Sequence, residues 1–209
     1  MHNRFNKYIG ITMRVTEASN YNEKRNSIAF DWANYMLNNF HDVKWMFLPN
    51  IGEEIINYIK SWHINAFIIT GGDDIGMYSI RDKTENKILE YANEKRMPLL
   101  GVCRGMQLIH LFYGGRIIKG NSNFINLHRS TQHEILIGNK LRKVNSYHEN
   151  QLEEKTISKR LSIIARSIKD ESVEGIKGNN VLGLMWHPER SSSIDVWEKE
   201  MIRSFLFKG

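Results

Sequence analysis

Long apolar runs, a second cysteine and blocks of like charge are all missing from this 209-residue chain. No segment approaches the roughly 18 uninterrupted apolar residues that a membrane-spanning helix needs. The lone cysteine, Cys103, rules out an intrachain disulfide framework and fits a reducing compartment. The opening MHNRFNKYIGIT lacks the apolar core and small-residue cleavage site of a secretory leader, so the expected location is the cytoplasm. The net charge of +6 comes from Lys and Arg scattered in ones and twos. No basic arm, stripe or reader motif accompanies it, so neither nucleic acid nor membrane is an expected partner. A locally basic pocket for a phosphorylated ligand stays open beside the plainer reading, a solvated basic surface. Linkers rich in Pro, Gly or Ser, internal repeats and low-complexity tracts are absent as well, which makes residues 1–209 one domain.

What is present is an ordinary globular composition, 41% hydrophobic and 25% charged. Tyr8–Met13 reads as a strand and Ser27–Asn39 as an amphipathic helix, with Ile28, Trp32, Tyr35 and Met36 at helical spacing. Val43–Leu48 is a second strand and Ile51–Ser61 a second helix. Ala66–Thr70 is a buried strand stopped by Gly71-Gly72, residues 84–96 a charged helix, and Pro98–Val102 another buried strand. This alternation calls for a parallel sheet with helices on both faces. Beyond it, His133–Ile137, Leu141–Tyr147, Leu161–Ile168 and Val181–Met185 read as strands, some antiparallel, before a closing helix at Glu198–Phe207.

The most informative stretch is MPLLGVCRGMQLIHLFYGG, Met97–Gly115. A strand runs into Gly101-Val102-Cys103-Arg104-Gly105 and a helix begins at once, the cysteine form of a nucleophile elbow. Such a turn projects its central side chain above the sheet's C-terminal edge, and the helix N-terminus favours a thiolate. A lone cysteine is otherwise a small buried hydrophobe. A thiol nucleophile needs a base and a group to hold that base. VLGLMWHPER, Val181–Arg190, delivers His187 at the end of an apolar strand, and Glu189 follows at period two, on the same side of an extended backbone. The bland alternative is a satisfied histidine beside a surface glutamate. His128 and His133 lie in a loop-like region and, with the only cysteine distant, supply no metal set.

GVCRGMQ with the late WHPE resembles the class I glutamine amidotransferase superfamily. ITGGDD, the Arg104 variant of the elbow and VNSYHENQ (Val144–Gln151) bring it nearer the γ-glutamyl hydrolase branch. The four motifs occur in order over nearly the whole chain. The resemblance implies a flavodoxin-like three-layer α/β/α sandwich with a mostly parallel central sheet. It implies a triad of Cys103, His187 and Glu189 acting on a small γ-glutamyl amide through a thioester, without cofactor or metal. Backbone N–H groups of Gly71, Gly72 and Arg104 would form the oxyanion hole. Gln107 would contact the glutamyl group, and the main chain at Ser146 and Tyr147 would hold its carboxylate. More narrowly, Arg14 at the end of the first strand, followed by the E-x-R-x-x-x-A-x-D-W pattern around Arg25, is similar to hydrolases of γ-glutamyl-CDP-amidate in capsule biosynthesis. Arg14 and Arg25 would then meet a diphosphate; the alternative makes them surface or structural arginines. Two other functions stand beside hydrolysis: a glutaminase module feeding ammonia to a synthase, and a non-catalytic binding protein. The oligomeric state is left open.

Overall fold

A computed structural model describes residues 7–191 and 196–207. Its centre is a nine-stranded sheet. Five strands run parallel and adjacent: β1 (Tyr8–Thr12), β4 (Lys44–Leu48), β5 (Ala66–Ile69), β6 (Leu99–Val102) and β13 (Val181–Leu184), in the order β4-β1-β5-β6-β13. The sheet continues antiparallel through β12 (Val173–Lys177), β11 (Ser162–Ser167), β8 (Arg129–Ile137) and β9 (Lys140–Tyr147). Helices cover both faces, so the expected flavodoxin-like sandwich is what forms.

Strand β5 shows why both faces are covered. Its four residues AFII are all buried, and alternate side chains serve two different cores. Ala66 and Ile68 join Ile9 and Ile11 beneath α1 (Phe30–Asn39) and α6 (Val196–Leu206), where Trp32, Met36, Ile202 and Leu206 pack. Phe67 and Ile69 face the other layer, built from α2 (Ile55–Ser61), α3 (Ser79–Glu94) and α4 (Arg104–Phe112). No helix among the described residues is long and apolar enough to cross a membrane.

Several expectations need correction. Arg14 does not end the first strand. It opens β2 (Arg14–Glu17), which pairs with β3 (Lys24–Ser27) in a separate hairpin, and the first helix therefore starts at Phe30 rather than Ser27. This hairpin is mostly exposed and polar and carries no hydrophobic period. Helix α3 begins at Ser79, five residues before the expected start at 84. His128 and His133 do not lie in a loop: the first ends helix α5 (Ser122–His128), the second is in β8. Strand β12 and the small pair β7 (Ile117–Lys119) and β10 (Asn150–Leu152) had no counterpart in the expected elements.

Candidate active site

The elbow forms at the carboxyl end of β6. Cys103 caps α4 with φ 51° and ψ −103°, a region that non-glycine residues rarely adopt. The strain therefore sits on the cysteine itself. Its two glycines have a different task from easing the turn: they let α4 approach the sheet. A Cβ on Gly101 would meet the Gly105 backbone at 2.5 Å, and one on Gly105 would meet the Ile69 carbonyl oxygen at 2.3 Å. The Cys103 N–H donates to the Leu184 carbonyl at 2.7 Å, tying the elbow to β13. β13 is also the strand that leads to His187.

His187 and Glu189 lie past the end of β13, and both are buried. Residues Pro188–Arg190 form a single 3-10 turn, so an extended period-two backbone is not what aligns them. The turn brings His187 Nδ1 to 2.7 Å from Glu189 Oε1. Asn145 on β9 brackets the histidine backbone twice, accepting from the His187 N–H at 2.8 Å and donating to its carbonyl at 2.8 Å. The Tyr147 ring meets the imidazole edge-on at 5.5 Å and carries Arg190 over its face at 4.6 Å.

Cys103 and the His187 ring both border the space above Gly71, and each shifts the other's titration. Burial pushes the Cys103 thiol up. The charge and hydrogen bond of His187, with a smaller contribution from His148, outweigh it, so the net shift is downward. Burial likewise disfavours the His187 imidazolium, but the Cys103 and Glu189 charges and hydrogen bonds raise it to about 9. Each shift favours a thiolate beside an imidazolium.

Gly71 closes this corner. A Cβ there would lie 2.7 Å from His187 Cε1 and 3.5 Å from the Cys103 Cβ, so any side chain would fill the space between thiol and ring. Beneath the turn runs a second polar network. The Arg81 guanidinium donates to the carbonyls of Thr70 and Gly71, both at 2.9 Å, and pairs with Glu85 at 3.0 Å. Glu85 also accepts from Thr12 at 2.8 Å and pairs with Arg104, whose other contact is Asp82. The Arg104 side chain is thus a buried anchor, leaving only its backbone for the expected oxyanion role. Arg81, Glu85 and Asn145 escaped the sequence reading. An i,i+4 Arg–Glu pair in a charged helix normally marks a solvated face, and here it is buried.

Among the remaining predicted residues, Arg14 lines a cleft with Trp32, Thr70, Gly72, His187 and Arg190, and its buried Nε lacks a hydrogen-bond partner. Arg25 lies outside that cleft lining. It is exposed and held by Glu23 and Tyr21. Gln107 is buried one turn beyond Cys103, its amide 3.9 Å from Met185 Sδ. The Ser146 side chain turns inward, 3.4 Å from His128 Nδ1.

A family model, glutamine amidotransferase class-I, matches residues 24–208. The chain belongs to this family. Among curated relatives, the γ-glutamyl-CDP-amidate hydrolase of Campylobacter jejuni is 30% identical over 90% of this chain and 92% of its own length. A glutamine-hydrolysing GMP synthase subunit of Pyrococcus furiosus is 29% identical over 64% of this chain and 71% of its own length. Among solved structures, a glutamine amidotransferase of Thermotoga maritima superposes with a TM-score of 0.63 at 12% identity, covering 95% of this chain and 82% of that one. The last likeness is one of fold.

Proposed function

We propose that this protein is a cysteine hydrolase that cleaves the C–N bond of a γ-glutamyl amide. The observation that carries the reading is Cys103 placed beside His187, itself hydrogen-bonded to Glu189, at the carboxyl edge of a parallel sheet. The Cys103 thiolate attacks the γ-carbonyl, and backbone N–H groups around Gly71, Gly72 and Arg104 stabilise the oxyanion. Collapse of the tetrahedral adduct breaks the C–N bond, and His187 gives its proton to the departing nitrogen. A γ-glutamyl thioester remains. His187, now neutral, takes a proton from water, the hydroxide adds to the thioester, and C–S cleavage releases glutamate and regenerates the thiolate. Glu189 holds the imidazole tautomer through both steps. Gln107 and the main chain at Ser146 and Tyr147 receive the glutamyl group.

The leaving group is the finer question. Arg14, with a free buried Nε, and Arg190 line the cleft beside His187, which supports an anionic amine or amidate. The Campylobacter relative supports a nucleotide-linked amidate whose hydrolysis yields glutamate and cytidine diphosphoramidate. Arg25 would reach such a ligand only by releasing Glu23. A panel scored by glutamate release tests this: glutamine, γ-glutamyl-aminobutyrate, a polyamine conjugate and γ-glutamyl-CDP-amidate. The amidate is the expected best substrate. Arg14→Ala should lower kcat/KM on it about 10-fold more than on γ-glutamyl-aminobutyrate; equal losses contradict the nucleotide reading. The similarity to the Pyrococcus GMP synthase protein favours one alternative, a glutaminase that delivers ammonia to a partner. Glutamine turnover that appears only when a synthase is added would replace the hydrolase reading with that one.

A further inference from the structure

Below the Ser146 backbone, on the antiparallel side of the sheet, four ionisable side chains converge in the protein interior. Glu174 on β12 is fully buried, and His128, His133 and His148 are buried around it. Apart from the small influence of His148 on the Cys103 thiol, the proposed hydrolysis uses none of them. Each histidine turns one nitrogen toward the same carboxylate: His128 Nδ1 and His148 Nε2 stand 3.5 Å from Glu174 Oε1, and His133 Nε2 stands 3.6 Å from Oε2. Those separations are long for charge-assisted hydrogen bonds, which cluster near 2.7–2.9 Å. Accordingly His133 Nε2, His148 Nε2 and Glu174 Oε2 have no hydrogen-bond partner although all are buried. Buried polar atoms are almost always satisfied, so three orphans pointing into one space call for a reason.

The opposite ring nitrogens of His128 and His148 supply a second observation, while that of His133 has no hydrogen-bond partner among the described residues. His128 Nε2 lies 2.9 Å from Asp170 Oδ2, and His148 Nδ1 lies 3.0 Å from the Asn150 carbonyl oxygen. A carboxylate or carbonyl on the outer nitrogen fixes that nitrogen as the N–H and leaves the inner one with its lone pair. This is how metal-ligating histidines are oriented. The ligand atoms of His128, His133 and Glu174 all fall within 4.8 Å of one another. Four ligands at 2.0–2.1 Å in a tetrahedron are separated by about 3.3 Å, and each histidine already lies 3.5–3.6 Å from one or the other oxygen of Glu174. The widest pair would have to close by roughly 1.5 Å.

We propose that His128, His133 and Glu174, with His148 as fourth donor, bind a single divalent transition-metal ion, zinc above all. A nitrogen-rich set with one carboxylate suits Zn²⁺, Co²⁺ and Cu²⁺ and disfavours Mg²⁺ and Ca²⁺, which prefer oxygen. With four protein donors the site is closed, so the ion is structural. It links the end of α5, strand β8, the connection between β9 and β10, and β12, and so pins the antiparallel half of the sheet from within. This proposal departs from the expectation of no metal set, a reading that had no strand to bring Glu174 to the histidines.

The test uses the full chain carrying Cys103→Ala, so that the active-site thiol cannot compete for metal. After chelator stripping, titration with Co²⁺ should produce visible d–d absorption that saturates at one equivalent. Excess Zn²⁺ at about 100 times its Kd should raise the melting temperature by about 5–10 °C. X-ray absorption of the zinc-loaded protein should show a shell dominated by imidazole nitrogen. His133→Ala and Glu174→Gln should each abolish saturable binding. A titration with neither absorption nor thermal shift overturns the proposal. So does binding that survives both substitutions, or a shell without imidazole, and that last measurement needs no cluster variant to fold.

Discussion

Two buried polar networks meet at the turn after β5, and they are built from opposite kinds of group. On one side Arg81 and Arg104 surround Glu85, with Thr12 and the Thr70 and Gly71 carbonyls completing the hydrogen bonds. Arginines keep their charge at any working pH, so this network can only hold shape. On the other side Cys103 and His187 share a proton, with burial opposing both charges and each charge sustaining the other. The first network braces the turn and the second can do chemistry, and Gly71 is where they touch. The reactive pair is buried beside a frame in which two guanidinium groups are held around one shared carboxylate.

Substitutions in the two networks should therefore fail in different ways. The largest effect is expected from Cys103→Ala, which should lower turnover roughly 10⁴-fold or more while leaving the melting temperature near that of the parent. Near-native turnover in that variant would remove the proposed mechanism. Glu85→Gln should do the reverse. It leaves two buried guanidinium groups without their shared carboxylate, at a cost of about 3–5 kcal/mol measured by denaturant unfolding, with kcat per folded molecule falling far less. If its unfolding free energy is unchanged, the bracing role is wrong. A smaller effect belongs to Asn145, which clamps the backbone of His187 without touching the thiol. Asn145→Ala should cost about 10-fold in kcat, with KM changed little, because the imidazole loses its placement. A rise in KM alone would instead assign Asn145 to substrate binding.

The same contrast explains what could be read from the sequence. The parallel half was legible because its strands are short and largely apolar, β4 and β5 are stopped by Pro49 and Gly71, and β5 and β6 are buried along their whole length. The elbow was legible for the same reason: an apolar strand, a cysteine and an apolar helix leave few alternatives. The bracing network was not. Arg81 and Glu85 carry charges that normally mark solvent, and only the depth of α3 in the structure shows otherwise. Strand β12 was hidden similarly, since VEGIK carries Glu174 within it and reads as a surface turn. Its glutamate makes sense only beside three histidines drawn from distant segments. Arg25 shows the converse: its place in a motif suggests a ligand contact, while in the structure it sits on an exposed hairpin paired with Glu23.

The central claim is that one sulfur exchanges a proton with His187, and the chain is well suited to testing it because Cys103 is its only cysteine. The pH dependence of iodoacetamide alkylation then reports this thiol alone. The parent protein should titrate below the ordinary cysteine value of about 8.5, with a second inflection from the imidazolium near 9. In His187→Ala, burial is opposed only by the smaller influence of His148, and the midpoint should move above that ordinary value. A parent thiol that titrates at or above the ordinary value, and stays there when His187 is removed, would contradict the account.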